Sequence, residues 1–225
     1  VTISRNGDLV HKLYVTSSAT GITNGSAIVD EVELEIGGQR IDRHTAEWMQ
    51  VWNELTTPES KAVGLKAMIG DIGSSVTTGV DEVHIPLQFW FCRNPGLALP
   101  LIALQYHEVK LKCTWGIGVA TVGVDAPVQV WADYIYLDTD ERRRFAQISH
   151  EYLIEQLQFT TVGTATGKVQ LNFNHPVKEL IWTDTTDGDN TTKTKLTLNG
   201  HDRFAEQKPE YFQLRQPYDH HTAVP

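Results

Sequence analysis

The chain has 225 residues, long enough for one large or two medium domains, and carries 28 acidic against 19 basic residues for a net charge of −9. That balance lacks the basic footprint that phosphate backbones demand, so direct nucleic-acid binding is disfavoured. Only two cysteines occur, Cys92 and Cys113, without metal-type CxxC spacing and without a signal peptide, which fits a reducing compartment with both thiols free.

In chain order, Val1 to Ser4 and Leu9 to Val15 read as a hairpin, because Asn6-Gly7 supplies the two positive-φ positions of a type I′ turn. Ile28 to Ile36 alternates, placing Ile28, Val32, Leu34 and Ile36 on one face and Glu31, Glu33 and Glu35 on the other, and Gly37-Gly38 ends it. Thr45 to Leu55 is the clearest helix: Trp48, Val51, Trp52 and Leu55 share one apolar face, and Pro58 lies just beyond. Residues 59–82, rich in Gly and Ser with little periodicity, predict a long surface loop.

The stretch from His84 to Leu111 is the most apolar of the chain, yet Arg93, Asn94, Pro95 and Pro100 interrupt it before it reaches the ~20 apolar residues of a transmembrane helix. No transmembrane segment is predicted. Ile85 to Phe91 reads as a strand stopped by the Asn94-Pro95-Gly96 turn signal. A single helical turn near Pro100 suits the fixed φ of proline. Tyr106 to Trp115 alternates, with Val109, Leu111 and Cys113 inward and Lys110 and Lys112 outward.

Val128 to Leu137 is another strand. The period then changes, with Asp138 and Glu141 at capping-box spacing and Phe145, Ile148 and Tyr152 recurring helically. A domain boundary is placed there. Strand patterns resume at Leu153 to Thr160, Lys168 to Phe173, Lys178 to Trp182 and Lys195 to Leu198, with a polar hairpin tip at 183–194. Short strands separated by turn signals argue for an all-β sandwich.

Chemistry-bearing motifs are missing. Seven histidines are scattered singly, and His220-His221, on an extended chain, point to opposite faces and chelate poorly. In "GIGVATVG" (116–123) Thr121 stands at the third glycine position of the dinucleotide fingerprint, and no helix signal follows. "GSS" (73–75) lacks the final glycine of a nucleophile elbow. Asp184, Asp187 and Asp189 lack the glycine and closing glutamate of a calcium loop. The run Asp140-Glu141-Arg142-Arg143-Arg144 complements a helix dipole. No catalytic, cofactor or metal residue is assigned; Asn24 and Asn190 match the glycosylation sequon and are the only modification candidates.

Five stretches, "VDEVELEIGGQRIDRHTAEWMQVWNELT", "IPLQFWFCRNPGLALPLIALQYHEVKL", "YIYLDTDERRRFAQISHEYLIEQLQ", "LNFNHPVKELIW" and "LNGHDRF", closely resemble the major capsid proteins of nucleocytoplasmic large DNA viruses, nearest to the algal-virus type. The resemblance runs from Ile3 to about Pro217. It implies tandem jelly-roll β-sandwiches: residues 1–137 as the first jelly roll lacking its N-terminal strand, 138–151 as a connector helix, and 152–225 as the incomplete start of the second. A chain that starts at Val1 without an initiator methionine then reads as an internal fragment.

The implied function is that of a non-enzymatic structural subunit of an icosahedral capsid. Homotrimeric, pseudo-hexagonal capsomers tile the shell, with other capsomers and minor capsid proteins as partners, in a virion assembled inside the host cell. Phe89, Trp90 and Phe91 read either as strand residues alternating between the core and a neighbouring subunit or as a strand buried on both faces. A carbohydrate-binding jelly-roll module is the alternative; it calls for exposed aromatics on one sheet, whereas all six tryptophans fall in segments that read as core. A jelly-roll hydrolase would need converging carboxylates with shifted pKa values.

Overall fold

The computed structural model describes residues 1–22, 25–71, 80–116, 128–161, 168–183 and 193–224. They form two compact units, Val1–Leu157 and Gln158–Pro225.

The first unit is a two-sheet sandwich. One sheet is built around the long strand β1 (Leu9–Ile22), with β4 (Val80–Pro86) and the two-residue β5 (Leu99–Pro100) along one edge and β7 (Val128–Ile135) along the other, all antiparallel. The second sheet has the order β3-β2-β6, from Gln39–Thr45, Val29–Ile36 and Val109–Trp115. A bulge between Val10 and Leu13 restores the inward phase of β1, so that Val10, Leu13 and Val15 all face the core. Opposite them, Val32, Leu34, Val109 and Leu111 complete the same buried cluster from the other sheet.

The acid face predicted for β2 is confirmed. Across it, Glu31 pairs with Arg43 at 3.4 Å, Glu33 with Arg40 at 3.0 Å, and Glu35 with Lys112. These three pairs are diagonal across the ladders, and bases also stand directly opposite Glu33 and Glu35 on both neighbouring strands, an arrangement that favours this register.

The N-terminal hairpin does not form. Gly7 is not among the residues with positive φ, and its hydrogen side is needed for close approach: a Cβ there would meet Tyr134 Cβ at 2.5 Å. Val1 to Ile3 instead line the free edge of β6, where Ile3 N donates to Val109 O at 2.9 Å and Leu111 N to Val1 O at 2.8 Å. A sheet edge with unpaired groups attracts any extended segment within reach, and here it outcompetes the local turn.

Helix α1 (Ala46–Thr56) begins where expected, capped by Thr45, whose side chain accepts from Trp48 N at 3.3 Å. Met49 and Leu55 are its buried residues, while Trp48 and Trp52 are only half-buried. The loop expected over 59–82 is in part a second helix, α2 (Glu59–Ile69). Only Ile69 of that helix is buried, so the sequence shows no apolar period; Pro58 before its first turn and Gly70 at φ 74° after its last residue delimit it.

The strand expected at Ile85 to Phe91 ends at Pro86, and Trp90–Arg93 form one helical turn, α3. The turn aims Phe89, Trp90 and Phe91 all inward, at 0%, 3% and 0% exposure. Of the two readings of this stretch, burial within one domain holds and the neighbour-facing one does not. Around Pro100, Ala103 N donates to Pro100 O and Leu104 N to Leu101 O, both at 3.2 Å, close to the expected turn.

After β7, Asp138 caps α4 (Thr139–Gln147) by accepting from Glu141 N at 2.8 Å. The helix stops at Gln147, short of the periodic Ile148 and Tyr152.

In the second unit, the strands expected at 168–173 and 178–182 do not form ladders, nor does 153–160 at the end of the first. Alternation specifies a face, but a ladder requires a neighbouring strand, and none pairs with these segments among the described residues. The regular pairing here is the short hairpin of β8 (Thr197–Leu198) and β9 (His201–Asp202), turned by Asn199 and Gly200 at φ 51° and 80°. Trp182, Phe204, Tyr211 and Phe212 cluster at centroid distances of 5.0–6.2 Å. A π-helical turn at Tyr211–Arg215 leads into α5 (Gln216–His220).

Candidate functional site

Three polar joints fix the chain that follows β7 onto the first sandwich. At the first, the buried Asp8 carboxylate accepts from Leu137 N at 2.8 Å and Arg142 Nε at 2.9 Å. The Leu137 amide, with help from Arg142, holds Asp8 below the usual carboxylate range against the opposing effect of burial.

At the second, Asp42 Oδ1 accepts from Arg43 N at 2.9 Å and Leu157 N at 3.0 Å, while its Oδ2 lies 2.9 Å from His44 Nε2. Both side chains are 1% exposed, and His44 stacks on Phe89 at 4.7 Å. His44 is therefore a paired core histidine. Beside it, Gln156 Nε2 donates to Ile41 O.

At the third, Arg93 donates from Nε to Gln88 O and from Nη1 to Glu155 Oε2, both at 2.9 Å, with its guanidinium 4.1 Å over the Trp52 ring. Burial lowers its pKa, partly offset by the charge of Glu155. These contacts join α1, the α3 turn and residue 155. Sequence reading missed all three joints, since Leu137, Arg142, Glu155 and Leu157 lie far along the chain from the residues that hold them.

The arrangement holds segments together. Among the described residues each carboxylate with a shifted pKa is moved downward by a hydrogen-bonded partner: Asp8 as above, Glu108 by Lys110, and Asp202 by Lys195. A general acid needs the opposite shift. Among the described residues no group of three metal-ligating side chains converges, and no helix is long and apolar enough to cross a membrane. Burial pushes the Cys92 thiol up to about 12 and also raises Cys113; neither thiol is in a disulfide. Asn24 and Asn190 lie outside the described residues, as do 73–75, 117–123 and the acids at 184, 187 and 189.

The tryptophans depart from expectation. Trp90 is buried, but Trp115, Trp131 and Trp182 are 43%, 60% and 53% exposed. Trp131 stands opposite Tyr14, and Tyr14 opposite Pro86, in one row across the outer face of the first sheet. An inward/outward period cannot tell a strand's core face from its outer one.

A sandwich with one contiguous apolar core, joints made for holding, and aromatics turned outward has the make-up of a structural building block. Comparison with known proteins gives the lineage. A model described as major capsid protein N-terminus matches residues 1–138, and one described as large eukaryotic DNA virus major capsid protein matches residues 141–190. The chain belongs to the major capsid protein family of large eukaryotic DNA viruses.

It is 53% identical to the major capsid protein of Pyramimonas orientalis virus, over 99% of this chain and 63% of that protein. To the major capsid protein of Paramecium bursaria Chlorella virus 1 it is 38% identical, over 96% of this chain and 64% of that protein. The chain thus spans less than two thirds of the length of these relatives. A solved quasi-atomic model of the PBCV-1 virus capsid superposes with a TM-score of 0.78 at 34% identity, covering 96% of this chain and 68% of the other. The fold class is accordingly all-β, of the tandem jelly-roll kind. The comparisons give the carbohydrate-binding alternative no support.

Proposed function

We propose that the chain is part of a non-enzymatic shell subunit: residues 1–137 the first jelly roll, 138–151 its connector, and 152–225 the start of the second. Three copies of the full protein make a pseudo-hexagonal capsomer that tiles an icosahedral virion, assembled in the host cell interior and joined by minor capsid proteins. The observation that carries this reading is the superposition on a capsid protein over 96% of the chain at 34% identity. The physical properties support it, because a shell subunit needs a stiff core and outward apolar contacts, and permanent interfaces commonly bury ~2,000–5,000 Å². Sedimentation and light scattering on the purified full-length protein are expected to give a trimer. A monomer at every concentration tested overturns the reading.

A further inference from the structure

Asparagine followed by glycine is open to self-modification, because asparagine is thermolabile and glycine has no side chain to shield its amide. The chain contains three such pairs, Asn6-Gly7, Asn24-Gly25 and Asn199-Gly200. The fold treats them differently. Gly7 is pressed against Tyr134, and both flanking residues are tied down: Arg5 Nη2 donates to Leu104 O at 2.6 Å, and Asp8 O accepts from Ile102 N at 3.1 Å. Gly25 is buried, its amide donates to Gly70 O at 3.4 Å, and a Cβ there would lie 1.8 Å from Ile69 O.

Asn199-Gly200 has neither kind of restraint. It is the tip of the β8–β9 hairpin, and Asn199 is the only non-glycine residue at positive φ among the described residues. Asn199, Gly200 and all four residues of the two strands are exposed, and nothing lies within 4 Å of a Cβ built on Gly200. Among the described residues no backbone hydrogen bond engages the Gly200 amide. An exposed tip on two-residue strands belongs to the low end of local stability, where opening costs little.

We propose that Asn199 is a site of spontaneous deamidation, with water as the reagent. Base in the solvent removes the Gly200 amide proton, and the nitrogen attacks Asn199 Cγ. The N–Cγ bond forms, the Cγ–Nδ2 bond breaks, and Nδ2 leaves as ammonia, so that residues 199 and 200 are joined in a five-membered succinimide. Water then adds to one of its two carbonyl carbons. Addition at Cγ restores the ordinary backbone with an aspartate; addition at the main-chain carbonyl carbon leaves Gly200 bonded to Cγ, an isoaspartate whose backbone is longer by one methylene. Either product carries one more negative charge. The isoaspartate also cannot keep the two-residue loop that pairs Thr197 with Asp202 and Leu198 with His201, so the hairpin loses its register as the protein ages.

The test incubates the full-length protein, folded and in denaturant, at neutral and at mildly alkaline pH. Each Asn-Gly peptide is followed by mass spectrometry with fragmentation that separates aspartate from isoaspartate. Every ~1.4 kcal/mol of difference in the cost of opening is about tenfold in rate, so folded protein is expected to convert Asn199 about tenfold or more faster than Asn6 or Asn24, at a rate that rises with pH. In denaturant the three rates are expected to converge. Asn199→Gly keeps the positive φ but has no side-chain amide, and is expected to abolish the change in that peptide alone. Folded protein in which Asn199 converts no faster than Asn6 or Asn24 overturns the proposal. The same spread of rates in denaturant also overturns it, by tracing the order to sequence alone.

Discussion

Replacing Asp8 by alanine tests whether the joint at the foot of β1 is a structural clasp. The substitution removes the acceptor of two charge-assisted hydrogen bonds, at 2.8 Å to Leu137 N and 2.9 Å to Arg142 Nε. Hydrogen bonds to a charged group contribute ~1.5–3 kcal/mol each, and a buried amide left unpaired forfeits its share. The Arg142 side chain is 49% exposed, so its pairing is screened and contributes under ~1 kcal/mol. The expected cost of Asp8→Ala is about 2–4 kcal/mol, against less than ~1 kcal/mol for Arg142→Ala.

The pH dependence has a definite sign. The folded pKa of Asp8 lies below its ordinary 3.8, so the carboxylate's contribution is present above that ordinary value and is lost as pH falls through the folded one. Urea unfolding of wild type, both variants and the double variant, at neutral pH and in the acid range, measures each quantity. Equal losses from Asp8→Ala and Arg142→Ala, or an Asp8→Ala loss that fails to shrink on acidification, refute the assignment of the Leu137 amide as the main partner.

Phe89→Ala empties a site between His44 at 4.7 Å and Phe91 at 5.8 Å and is expected to cost about 3–5 kcal/mol in urea unfolding; a cost below ~1 kcal/mol contradicts the buried placement. Arg93→Lys keeps the charge but cannot bridge Gln88 O and Glu155 while lying flat on Trp52, so a loss of about 1–2 kcal/mol is expected by the same measurement. Cys92, with its thiol pushed up to about 12, is expected to resist alkylation of the folded protein at pH 8 and to react promptly in denaturant. Rapid native labelling, located by peptide mass, counts against that burial.

What the sequence disclosed depended on how local the cause was. Strand β6 and the acid face of β2 are legible because alternation is written residue by residue, α1 because Trp48, Val51, Trp52 and Leu55 recur at helical spacing before Pro58, and α4 because Asp138 and Glu141 stand three residues apart. Helix α2 is not, since only Ile69 is buried and the signal lies in Pro58 and Gly70 at its ends. The hairpin at Asn6-Gly7 failed because the edge of β6, more than 100 residues away, competes for the same backbone groups. The brace on the loop between β5 and β6 was hidden for a related reason. Tyr106 looked like the start of a strand, and nothing near it in sequence reveals that Arg5 holds the loop around it.

The three joints also set how the subunit bears load. The chain after β7 is pinned at Leu137 and Arg142 through Asp8, and further on at Glu155 through Arg93 and at Leu157 through Asp42. A pull on Leu157 is therefore delivered first to Asp42, a residue of β3, and from there into the cross-strand bonds of the second sheet. Helix α4 lies between these pins and is itself tied to Asp8 through Arg142, so a pull on Leu157 should strain the sheet bonds before it reaches the helix.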